Sequence, residues 1–214
     1  MRYQFLVDTY ETERLKVLSV WSMFRDEDFP FRPYPSDRRG RSVHEQMVHQ
    51  CVSEDLWFRT MLGIESRLSP LPDDETRLQF MSRYADASTV RLDVLRQQPE
   101  SWWETETSFF DQIRAHAWVV VRRVAHTSHH RGQQMAMLRM LGRDVHSNYG
   151  PTSDTGGLMQ NDAPVVYAYP DVENCFAARQ LAAVRRACQV PETSRPPNVP
   201  ETLSRRLGDA TNVT

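Results

Sequence analysis

The sequence predicts an all-α protein: an antiparallel four-helix bundle over residues 1–150, followed by a C-terminal extension over residues 151–214. Three observations predict it. Apolar residues recur at helical spacing in four long stretches between Leu6 and Leu141, proline-rich or polar runs separate those stretches, and no strand-rich segment offers a sheet to pack them on. With 214 residues, two-fifths of them apolar, the chain can bury a real core as one domain.

In the first stretch Leu6, Tyr10, Val17, Trp21 and Phe24 follow one another at helical steps, which gathers them on one stripe. The next run, Asp26 to Arg41, is interrupted by Pro30, Pro33 and Pro35 and carries Arg32, Arg38, Arg39 and Arg41. It reads first as a solvated loop, with an anion-binding lid as the alternative. Ser42 and Glu45 form a capping-box pattern for a second helix, whose apolar positions Val43, Met47, Trp57 and Met61 carry it to about Leu62. After Pro70-Leu71-Pro72, Asp73 is placed to cap a third helix with the stripe Leu78, Met81, Ala85, Leu92 and Leu95, closed by Pro99.

Residues Glu100 to Asp111, with Trp102, Trp103, Phe109 and Phe110 among polar neighbours, fit either a short hairpin or an irregular aromatic plug. From Ile113 to Leu141 the pattern is helical again. Its Ala117–Ala125 part is apolar nearly all round, apart from Arg122 and Arg123, so this should be the most buried helix, with Gly142 ending it. Ser147 to Gly157 has loop composition, Val172 to Cys188 reads as one further helix, and Pro191, Pro196, Pro197 and Pro200 punctuate a polar tail.

Charge narrows the range of functions. The 26 basic and 28 acidic residues leave a formal charge of −2, which provides no field to draw in nucleic acid or an anionic membrane. No basic stripe or helix-turn-helix spacing points to nucleic acid either. Cys51, Cys175 and Cys188 are odd in number and far apart, as expected of reduced thiols in a cytosolic protein. The opening MRYQFLVDTYETERLK becomes charged too soon for a secretory signal, and no later run is apolar enough to span a bilayer. These features place the protein in the cytoplasm.

The densest chemistry is HTSHHRGQQ, His126 to Gln134. His126 and His130 are four residues apart, one turn along the same helical face, so their imidazoles can converge on one ion, while His129 faces elsewhere. A third ligand must come from another helix. The second helix provides His44, in its first turn, and His49, deeper in; being five apart, they point in different directions. Glu45, one turn before His49, is either an outer hydrogen-bond acceptor for it or a capping residue facing water. His116, His129 and His146 are expected to be ordinary hydrogen-bonded imidazoles.

HTSHHRGQ, followed by MAMLRMLGRDV and soon by NYGP, resembles the DinB/YfiT superfamily of bacterial four-helix-bundle proteins. The stretch SVHEQMVHQCVSEDLWF is a second likeness, and the resemblance runs from about Tyr3 to Pro151. It implies three metal ligands, which fall on His49, His126 and His130. Such a set leaves a divalent ion with open positions, as in a catalytic site, whereas structural zinc is closed by four ligands. Zinc or nickel suits imidazole best, with iron or manganese as alternatives. The resemblance implies a metal-dependent enzyme acting on a small molecule. It is either a transferase in which a low-molecular-weight thiol attacks an electrophile, or a hydrolase with an activated water. The alternative is a non-catalytic metal-binding stress-response protein or a dimeric interaction protein. The resemblance further implies a homodimer.

Overall fold

Leu6, Tyr10, Val17 and Trp21 do come to one buried face, that of helix α1 (Gln4–Met23). The computed structural model describes residues 2–37, 39–145, 148, 152–156, 172–174, 176 and 177, all within one compact unit, Met1–Ala178. The chain is mostly helical. After α1 come α2 (Val43–Leu62), α3 (Arg77–Arg96), a short α4 (Glu100–Glu104), strands β1 (Glu106–Phe109) and β2 (Gln112–Ala115), and α5 (His116–Met140). Single 3-10 turns lie at Asp26–Asp28 and Ser153–Thr155.

Local chemistry explains where these helices start and stop. Ser42 caps α2 as its sequence predicts: the Glu45 N–H donates to Ser42 Oγ at 3.2 Å, and the Ser42 N–H donates to the Glu45 carboxylate at 2.9 Å. Gly63, at φ 66°, ends it. The cap of α3 is Thr76, not Asp73, and the Gln79 N–H donates to its hydroxyl. Asp26 explains the later start, because its carboxylate accepts from the Arg77 N–H at 2.6 Å and places a negative charge on the new helix terminus. At the end of α5, Gly142 takes φ 64°, its N–H donating to Arg139 O and the Arg143 N–H to Leu138 O, both at 3.0 Å, a Schellman closure.

Of the two readings for Glu100–Asp111, the hairpin holds, with α4 preceding it. β1 and β2 pair antiparallel, Glu106 opposite Ala115 and Phe109 opposite Gln112, so Ile113 to Ala115 belong to a strand and α5 starts at His116. On α3, Leu78 is exposed and Phe80 takes its place inside, because Thr76 sets the phase of the first turn. Nor is α5 enclosed all round: Val119 and Val120 are fully buried, but Trp118 and Val121 lie on an open side, and Arg123 is buried in their stead.

Two apolar clusters fix the direction of the long helices. One joins Val17 and Trp21 of α1 to Val43 and Met47 of α2, Phe80 and Met81 of α3, and Met135 and Leu138 of α5. The other joins Leu6 and Tyr10 to Phe58 and Leu62, Leu92 and Leu95, and Val119 and Val120. Helices α1 and α5 therefore run one way and α2 and α3 the other, with α1 packed on α3 and α5, and α5 on α2. This departs from a strictly alternating order because the run 63–76 returns along the molecule, from Ile64 in the second cluster to Leu71 against the first. An extended run of that length reaches about 45 Å, more than the roughly 30 Å of a helix such as the 20-residue α2.

Of the Ser147–Gly157 loop, Asn148 and residues 152–156 are described, and Arg139 of α5 holds Asp154 there at 2.6 Å. Residues 172–174, 176 and 177 of the expected further helix are helical, with Val172 and Phe176 against the first cluster. The rest of that helix, the proline-rich tail, Arg38, His146, Cys175 and Cys188 lie outside the described residues. No helix among the described residues is long and apolar enough to cross a membrane.

Candidate metal centre

The antiparallel contact of α2 with α5 sets His49 of α2 opposite His126 and His130 of α5. One ring nitrogen from each imidazole lies within 4.8 Å of the others. Ring centroids are 4.6 Å apart for His126 and His130, 4.7 Å for His49 and His130, and 5.2 Å for His49 and His126. His49 Nε2 and His126 Nε2 are 3.3 Å apart. Two nitrogens each about 2.0–2.1 Å from a tetrahedral zinc are separated by about that distance. The one-turn spacing on α5 thus gives the convergence it predicts, and α2 adds the third group through His49 rather than His44.

Electrostatics keep the three rings free of protons. Burial, then the positive charge of Arg123 and the neighbouring imidazoles, push His126 down to about 3. Burial, then His49 and His129, with Arg41 and Arg123 behind them, push His130 down to about 4. His49 is lowered by burial, Arg41 and Arg123. All three rings are therefore neutral near pH 7 and hold lone pairs instead of protons, the state a metal requires of imidazole.

His130 is anchored from behind. Its Nδ1 donates to Gln46 Oε1 at 2.8 Å, which leaves Nε2 as the free lone pair. The amide of Gln46 is in turn oriented because its Nε2 donates to Gln133 Oε1 at 2.9 Å. A second buried amide chain runs alongside: Trp21 Nε1 donates to Gln134 Oε1 at 3.2 Å, and Gln134 Nε2 to Gln50 Oε1 at 2.7 Å. His126 is held differently, against the Trp57 ring at 5.4 Å, and its Nδ1 has no hydrogen-bond partner among the described residues.

One helical step further, Glu54 is buried at 1 % exposure between Tyr10, which donates to it at 2.7 Å, and the guanidinium groups of Arg91 and Arg123 at 3.4 and 3.6 Å. Arg123 also donates to Ser53 and Thr127 and lies over the Trp57 ring, so the group that braces α5 also backs the ring that packs on His126.

The other described histidines keep ordinary roles. His44 faces Glu75 at 2.5 Å, away from the cluster. His116 packs on Trp102 at 4.3 Å, and His129 Nε2 accepts from Gln133 Nε2 at 2.9 Å. Glu45 is a capping residue, paired with Arg32, and does not touch His49. Gln46, Gln50, Glu54 and Arg123 carry no motif that marks them as part of the site. The three on α2 do form a polar ladder at steps of four, Gln46-Gln50-Glu54, on the same side of the helix as Met47 and Cys51.

Fold and site together define a mostly helical protein with three convergent imidazoles between two antiparallel helices. The DinB family pattern matches residues 4–160, and the chain belongs to the DinB family. Among solved structures it resembles a DinB-like protein from Bacillus cereus ATCC 10987, at 19 % identity and a TM-score of 0.54, over 64 % of this chain and 89 % of that one. It also resembles a DinB-like protein, YjoA, from Bacillus subtilis, at 15 % identity and a TM-score of 0.53, over 76 % and 96 % of the two chains. No curated protein matches it.

Proposed function

We propose that this DinB-family chain binds one divalent transition metal ion through His49, His126 and His130 and uses it as a metal-dependent enzyme acting on a small molecule. The observation that carries the reading is the approach of the three imidazoles, one nitrogen each within 4.8 Å. Zinc or nickel is the expected ion, with iron or manganese as alternatives. The reaction is a thiol-dependent transfer or a hydrolysis. When bound, such an ion supplies Lewis acidity and eases deprotonation of a water or thiol. The chain's own residues prepare the site: Gln46 holds the His130 tautomer, Trp57 backs His126, and burial keeps all three rings unprotonated.

The packing of α1, α2, α3 and α5 around two apolar clusters supports a four-helix bundle as the architecture. We take residues 1–150 as that bundle and 151–214 as the appended segment, and we place the protein in the cytoplasm. Elemental analysis of untagged protein beside the His49→Ala and His130→Ala variants tests the site. About one equivalent of metal in the parent and little in both variants is expected; a parent that neither contains nor takes up any of the four metals would end the reading.

A second reading, a homodimer serving mainly as an interaction protein, is favoured by the large apolar side chains left exposed: Phe110 and Ile113 at the hairpin, Trp118 and Val121 of α5, and Val52 and Leu56 of α2. Sedimentation equilibrium distinguishes it: Val121→Lys shifts a dimer toward monomer, and a parent already monomeric at micromolar concentration rejects pairing.

A further inference from the structure

The proline- and arginine-rich run before α2 closes over the end of the α2–α5 contact. There Pro33, Arg39, Gly40 and Arg41 form one wall of a cleft of about 290 Å³, and Gln46, Gln133, Ala136 and Met137 form the other. Two features set this cleft apart from a surface dent. Its wall includes the two amides that hold His130, since Gln46 accepts from the ring and is itself oriented by Gln133. Its rim carries two guanidinium groups of unequal availability: Arg39 is doubly bonded to Asp37, whereas Arg41 has no ion-pair partner among the described residues.

A guanidinium with no ion-pair partner among the described residues, lining a cleft together with two amides, is suited to an oxyanion, which it grips with paired N–H donors. Among the described residues no carboxylate lines the cleft to repel one. We propose that this cleft is the substrate subsite of the metal centre, and that Arg41 binds a carboxylate or phosphate group of a small anionic substrate, setting its remaining part toward the three histidines. The size fits a small ligand, at the lower end of ordinary binding pockets. Arg41 is thus a specificity residue: it selects anionic over neutral substrates and takes no part in holding the metal. The proposal rests on the metal-dependent reading for the word substrate, but the anion subsite itself stands on the cleft alone.

The test separates the two. Metal-free full-length protein is titrated by calorimetry with phenylacetate and, separately, with inorganic phosphate; the parent, Arg41→Ala, Arg41→Lys and Arg59→Ala, the last at an exposed arginine of α2 that faces Asp55 and does not line the cleft, are compared, with metal content measured on each after reloading. Saturable binding of at least one anion is expected in the parent and in Arg59→Ala. It should weaken about ten-fold or more in Arg41→Ala, be partly restored in Arg41→Lys, and leave the metal content of both Arg41 variants at that of the parent. The anion bound more tightly identifies the substrate group. No binding of either anion by the parent, or equal binding by Arg41→Ala, overturns the proposal. Anion binding without metal uptake keeps the subsite and removes the metalloenzyme; metal uptake without anion binding does the reverse.

Discussion

At the scale of single residues, Gln46 shows how much of a three-histidine cluster lies behind the imidazoles themselves. Its carbonyl accepts the His130 Nδ1 proton and so decides which nitrogen of that ring is left for an ion. Gln46→Leu removes the acceptor at similar volume and is expected to weaken metal binding about 10- to 100-fold, read by competition with a chromophoric chelator; unchanged affinity would deny Gln46 this part. Cys51 makes the opposite point about reactivity. Burial, reinforced by the Glu54 charge, pushes its thiol from 9.0 up to about 12, so it stays protonated and sheltered. The Cys51 peptide should resist iodoacetamide at pH 8 in the native protein and react once urea unfolds it; rapid native labelling, seen by peptide mass, would contradict this burial. The linkage follows in sign. The folded thiol keeps its proton where the unfolded one releases it, so this group contributes nothing to the pH dependence of stability below 9.0, and stability falls as pH rises from there toward 12.

At the scale of elements, the two ends of α2 were legible because their signals are local. Ser42, Glu45 and Gly63 satisfy or relieve backbone groups within a few residues of themselves. Ser42→Ala should cost about 1 kcal/mol, measured as a lower urea midpoint with unchanged slope; a loss near zero would mean that water replaces the hydroxyl. The start of α3 was misplaced because part of its signal is remote: Asp26 reaches the Arg77 N–H from another segment, and no spacing rule connects the two. The same division holds at the site. The pair His126 and His130 could be read from one helix, whereas spacing left His44 and His49 open, and only the packing of α2 on α5 shows that His44 turns to Glu75. The buried Arg123 is hidden for a similar reason, since its partner Glu54 is on another helix and nothing local tells which of the adjacent Arg122 and Arg123 turns inward.

At the scale of the whole molecule, Glu54 ties three other helices to α2: Tyr10 of α1, Tyr84 and Arg91 of α3, and Arg123 of α5. Removing the carboxylate would leave the buried Arg123 without an ion-pair partner among the described residues and Arg91 with Asp55 alone. Glu54→Leu is expected to lose about 3–5 kcal/mol of folding stability, seen as a large drop in Tm, and a loss under about 1 kcal/mol would show that the arginines find water instead. On the proposed reading, metal would act on the same scale by mass action. Free zinc at a hundred times its Kd should add about 2.7 kcal/mol to the parent and nothing comparable to His130→Ala, measured by differential scanning calorimetry. The three imidazoles are divided, one on α2 and two on α5, with His49 and His126 separated by 77 positions. That division would order events in time. A chain emerging from the ribosome carries His49 long before α5 exists, so the proposed ion would have no complete seat until α5 docks. An ion seated there would clasp early-made to late-made chain across a long loop, whose closure entropy grows only slowly with its length. Loss of α5 by truncation or proteolysis would leave a single histidine of the three, so the metal carried by a cellular pool of this protein would count the molecules that finished folding.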